Sequence, residues 1–166
     1  MILLAIDPGP TKSAYVLWDT EKHDFVRDDD GKSVIGLAEN HFVMGFVHEI
    51  CTPHQGVRFP LPELVAIETP QNYGNQMGRE TLETLIFVGR LIEIVYRLQS
   101  TTTKLYARPS IKGQVGGRND SEIRSSLIMR YGASRKGEKL EGVKNDIWAA
   151  LALAVALEEN AKLKEW

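Results

Sequence analysis

Two short apolar runs, each ending in a carboxylate with proline close behind, constrain this chain more than any other feature. Ile2–Ile6 reads Ile-Leu-Leu-Ala-Ile and meets Asp7-Pro8-Gly9-Pro10, while Leu64–Ile67 reads Leu-Val-Ala-Ile and meets Glu68-Thr69-Pro70. Continuous apolar runs of this length with a turn behind them read as buried strands. If the two strands pair in parallel, their C-terminal ends carry Asp7 and Glu68 to one edge of a sheet. Two anions held there repel each other and are poorly solvated. Such a pair is tolerated when one member is protonated or when a cation sits between them.

The remaining pattern fills in a mixed α/β order. Ser13–Trp18 reads as a second strand and Ser33–Ile35 as a third, joined by polar turns in an antiparallel meander. Val43, Phe46, Val47 and Ile50 recur at helical spacing, so residues near 38–50 read as a helix. A proline-bearing loop over Thr52–Pro62 precedes Leu64–Ile67, and an amide- and glycine-rich loop (71–76) follows Glu68. Leu82, Leu85, Ile86, Gly89 and Ile92 mark a long amphipathic helix to about Leu98. Lys104–Ala107 reads as a short strand stopped by Pro109. Asn119 with Glu122 resembles a capping box, and Ile123, Leu127 and Tyr131 give the helix behind it an apolar face. The last helix runs from Asp146 to about Asn160, and its small residues let it lie close against a sheet. No repeat or linker divides the chain, so residues 1–166 are expected to form one domain.

Asp146, opening that helix, is a third carboxylate able to reach the same edge. Taken singly, an Asp after a strand is a turn starter and an Asp before a helix is an N-cap. Three oxygen ligands from separate elements suit Mg²⁺ or Mn²⁺. Two such ions can clamp the attacking and leaving oxygens of a phosphodiester displacement.

Charge distribution points to a polyanionic partner. The formal total is −2, yet residues 1–96 are net −7 and residues 97–139 are net +7. A lone cysteine, Cys51, forms no internal disulfide, and the four histidines show no zinc spacing. No apolar stretch is long enough to span a bilayer, and the N-terminus has no basic leader. A cytoplasmic protein with no membrane association is expected.

Four segments, IDPGPTKSAYVLWD, VAIETPQNYGNQ, ARPSIKGQVGGRND and KNDIWAALALAVA, together resemble the RuvC-like Holliday junction resolvases of the RNase H superfamily, nearest to the phage-type branch. The resemblance spans nearly the whole chain in the family's order. It implies an RNase H-like fold: a five-stranded mixed sheet, three antiparallel strands then two parallel, with helices on both faces. It implies a homodimeric, divalent-metal-dependent endonuclease that resolves four-way DNA junctions, leaving 5′-phosphate and 3′-hydroxyl ends. Asp7, Glu68 and Asp146 would be the catalytic metal ligands for Mg²⁺ or Mn²⁺, two ions per site. Lys112 would act catalytically near the cleaved phosphate. Tyr73 and Asn72 fall where the family meets the junction crossover, and Arg79, Arg108, Arg118 and Arg124 are candidate DNA contacts. The helix around Leu82–Leu98 would supply the dimer face.

Two positions depart from the pattern. The family's fourth acid, three residues after the third, is Ala149 here, with Glu141 and Asn145 the nearby candidates to compensate. A second family lysine is replaced where the chain reads Asp120-Ser121-Glu122. Two further readings stand beside resolvase activity. One is a nuclease acting on RNA/DNA hybrids or other branched DNA, and the other is a junction-binding module without catalysis.

Overall fold

The computed structural model describes residues 1–53, 58–70 and 77–164. The two apolar runs are strands β1 (Ile2–Pro8) and β5 (Leu64–Thr69), and they pair in parallel with Leu3 opposite Leu64 and Ile6 opposite Ile67. β2 (Lys12–Asp19) runs antiparallel on the other side of β1, and β6 (Thr102–Ala107) runs parallel to β5. The outer edge of β2 is shared by two short strands. β3 (Asp24–Phe25) pairs with Trp18 and Asp19, while β4 (Ile35–Glu39) covers Lys12–Val16. The five expected positions are thus present in the order three antiparallel then two parallel. The third is built from two pieces, giving six strands among the described residues. The expected third strand begins at its last residue, Ile35, because the acidic stretch before it forms a turn instead. That turn is tied by the Asp28 carboxylate, which accepts from the N–H groups of Asp30 and Lys32.

Alternation along the strands sends side chains to two separate cores. Leu4, Ile6, Val65 and Ile67 pack under helices α1 (Asn40–Cys51) and α2 (Arg79–Leu98), meeting Val43, Val47, Leu91 and Val95. Leu3, Ala5, Leu64 and Ala66 face the opposite way, toward α3 (Arg108–Val115), α4 (Asp120–Tyr131) and α5 (Ile147–Lys164). In α5 the alanines at 150, 152, 154 and 156 are all buried, which lets the helix press against the sheet. Leu151→Ala at a fully buried site is expected to remove about 2–5 kcal/mol of stability, read as a lower urea midpoint with unchanged slope.

Helix α3 has no counterpart among the helices that the sequence pattern predicts. Pro109 ends β6, as expected, but it also occupies the first turn of a new helix, where its missing N–H is harmless. Gly116, at φ 86°, closes that helix in the left-handed conformation, its N–H bonded to the carbonyl of Lys112. Only Ile111 and Val115 are buried, too few to produce a visible periodicity. Among the described residues no helix is long and apolar enough to cross a membrane.

Candidate functional site

The parallel register of β1 and β5, carried one residue beyond Ile6 and Ile67, sets Asp7 level with Glu68 on a neighbouring strand. Alternation turns both carboxylates to the α3–α5 face, because Ala5 and Ala66 two residues earlier lie in that core. The turn behind Asp7 is held by side chains. Asn40, in the first turn of α1, donates through Nδ2 to the carbonyl of Gly9 at 3.0 Å. Its Oδ1 accepts from Ser13 Oγ at 2.6 Å. A Cβ on Gly9 would stand 2.5 Å from the carbonyl oxygen of Lys12, so only glycine fits this turn.

Burial dominates the electrostatics here. It pushes the Asp7 carboxyl up to about 7, with the charge of Glu68 acting in the same direction, Arg108 opposing, and Asp146 and Asp120 adding smaller pushes. Glu68, only 7% exposed, is also raised by burial, against the hydrogen bond and charge of Arg108. Arg108 Nη1 donates to Glu68 Oε1 at 2.8 Å. Its Nη2 lies 3.0 Å from Asp120 Oδ1, and Lys112 Nζ lies 3.3 Å from that same oxygen. A chain of alternating charge therefore runs from Glu68 through Arg108 and Asp120 to Lys112.

Glu68, Arg108, Lys112 and Asp120 line a small cavity of about 30 Å³, closed on the α5 side by Trp148 and Ala149. That is room for one or two waters. The Trp148 indole N–H is buried and has no hydrogen-bond partner among the described residues. Arg124 lies over the Trp148 ring at 5.0 Å, on the outer side of this wall.

The structure brings Asp7, Glu68, Arg108 and Lys112 together. Asp146 stands exposed at the entry to α5, its carbonyl accepting from the N–H groups of Ala149 and Ala150. Its charge reaches Asp7, yet among the described residues no three His, Cys, Asp or Glu side chains converge closely enough to hold an ion. The donor chemistry nonetheless suits a hard divalent cation. Partly buried Asp7 and buried Glu68 share one edge, and burial raises both carboxyls. Arg79 is exposed and pairs with Glu83 along α2, away from the cavity, and Arg118 is exposed at the start of the α4 cap. Tyr73 and Asn72 lie outside the described residues. Glu141, a candidate to compensate for Ala149, is turned elsewhere: its carboxylate accepts from the Gly137 N–H and lines a hollow beside Arg27 and Ile35.

The residue that sequence reasoning missed is Asp120. Its only visible sign was a reversal of charge, an acid at a position where the resemblance called for a lysine.

No protein-family model and no curated protein sequence matches the chain. Among solved structures, a Thermus thermophilus RuvC in complex with Holliday junction substrate superposes with a TM-score of 0.71 at 15% identity. The match covers 98% of this chain and 96% of that one. A second Thermus thermophilus RuvC structure gives 0.64 at 16% identity, covering 99% and 97%. The chain has the RuvC-type RNase H-like fold over nearly its full length.

Proposed function

We propose that the protein is a divalent-metal-dependent endonuclease that resolves four-way DNA junctions by phosphodiester hydrolysis. The observation carrying this reading is the placement of Asp7 and Glu68 side by side at one sheet edge, next to Arg108 and Lys112, on a RuvC-type fold. Asp7, Glu68 and Asp146 would hold Mg²⁺ or Mn²⁺, which would supply positive charge at the reacting phosphate and make a water nucleophilic near neutral pH. Lys112 and Arg108 would hold phosphate oxygens beside those acids. Trp148 and Ala149 wall the same pocket with apolar surface, which strengthens every charge interaction inside it.

Resolution requires paired cuts on two strands, and a homodimer supplies two sites. Leu82 and Ile86, one turn apart on α2, are about half exposed and offer an apolar surface for a second copy.

The test compares cleavage of a synthetic four-way junction, a linear duplex of the same sequence and an RNA/DNA hybrid, each with Mg²⁺ or Mn²⁺. Cleavage confined to the junction is expected. Preferential cutting of the hybrid would assign a different nuclease specificity. A second reading, a junction-binding module without turnover, is favoured by Ala149 on the cavity wall and by the spread of the three acids. It predicts salt-sensitive junction binding and no product with either ion.

A further inference from the structure

We infer that Asp120 is a resident stand-in for a DNA phosphate, a carboxylate that occupies the Arg108–Lys112 pair and sets how readily it accepts a backbone. The inference rests on the nucleic-acid reading of this site and adds a residue which that reading does not use.

The geometry separates Asp120 from an ordinary helix-capping role. The start of α4 is already served by its neighbours. The Asn119 side chain accepts from the Glu122 N–H at 3.0 Å, and Glu122 accepts in return from Asn119 Nδ2 and from the Arg118 N–H. The Asp120 carboxylate is left for the cations of α3, with one oxygen facing both Arg108 Nη2 and Lys112 Nζ. This placement is fixed by the close approach of α3 to α4. A Cβ on Gly117 would stand 2.6 Å from the Ile123 nitrogen, so the joint closes only with glycine. The Asp120 side chain is 69% exposed, whereas Glu68 on the far side of Arg108 is buried.

One anionic oxygen shared by a guanidinium and an ammonium is also what a backbone phosphate would present. The two anions therefore compete for the same donors. Arg108 keeps its grip on Glu68 through Nη1, so only Nη2 and the Lys112 ammonium change partner when a phosphate enters. A tethered carboxylate at this position weakens every DNA contact made through the pair. It favours substrates anchored by further contacts elsewhere on the surface.

Asp120→Asn keeps the shape and removes the charge. Its affinity for a fluorescent four-way junction, measured by anisotropy in EDTA so that nothing is cut, is expected to rise about three- to tenfold, the scale of one or two exposed ion pairs. The salt dependence should steepen by about one unit of log K against log salt as a further phosphate is neutralised. Asp120→Ala should show the same gain, and Lys112→Met should remove most of it. A purely structural role for Asp120 would weaken binding or leave it unchanged, and either result in a folded variant overturns the inference. If the wild-type protein itself shows no binding to junction or duplex, the nucleic-acid reading falls first and the inference falls with it.

Discussion

Asp7→Asn is expected to slow junction cleavage by at least about a thousandfold, some 4 kcal/mol of transition-state stabilisation, while junction binding without divalent ions stays within about twofold. The substitution is close to isosteric, and Leu3 and Ala5 keep β1 fixed in the α5-side core, so the fold is retained. What is lost is the negative charge. An amide offers one neutral oxygen where a carboxylate offers two charged ones, and hard divalent ions bind chiefly through charge. Neighbouring acids are committed elsewhere, Asp120 to Arg108 and Lys112 and Glu141 to the Gly137 N–H, and Ala149 lines the cavity without a charge. Removing an anion from the edge proposed to meet DNA should not weaken DNA affinity, which separates this outcome from a binding defect. Single-turnover cleavage measured alongside anisotropy checks both halves. A variant that cuts at near wild-type rate would sink the assignment of Asp7. The same measurement on Glu68→Gln should show a comparable loss of cleavage, with an added loss of stability because Arg108 forfeits its buried partner.

The parts of this fold that the sequence announced are those whose residues repeat a simple period. β1 and β5 were legible because each is a continuous apolar run buried on both faces, and α5 because its small apolar residues crowd one segment. α3 was not, because a helix of eight residues with two buried positions carries almost no periodicity. The third strand position was blurred for a different reason. Its two pieces are joined by an acidic turn, and only pairing with β2 makes them strand-like. In the site, Asp7 and Glu68 were visible because each follows an apolar run directly. Their level placement depends on a parallel register that no single run can specify. The Arg108–Asp120 contact joins residues on two helices through a tight glycine joint at Gly117, and nothing in local spacing encodes it.

Stability in the absence of divalent ions is expected to fall as pH rises from about 4 to about 7, and Asp7 is the main cause. Its carboxyl titrates near 7 in the folded protein and near 3.8 in the unfolded chain. Between those values the folded state holds a proton that the unfolded chain has released, so raising the pH favours unfolding. Below the window both states are protonated, and above it both are ionised and the penalty is constant. At about 1.4 kcal/mol per pH unit, the group removes up to about 4 kcal/mol across the window. Glu68, raised by burial despite Arg108, acts in the same direction. Asp19 and Asp120 are held below the usual range, so their contributions are lost only at lower pH and do not mask the trend. The raised N-terminal amine acts only above pH 8. Thermal melts from pH 5 to pH 8 in EDTA should therefore show a falling Tm in the wild type and a flatter profile in Asp7→Asn. Adding Mg²⁺ or Mn²⁺ at pH 8 should restore the wild-type Tm, because a cation held by these acids would relieve the repulsion that burial leaves unscreened, and it should do little for Asp7→Asn. Equal slopes in the two proteins would show that Asp7 is not the strained carboxylate, and with that the reason for expecting a cation at this edge would be gone.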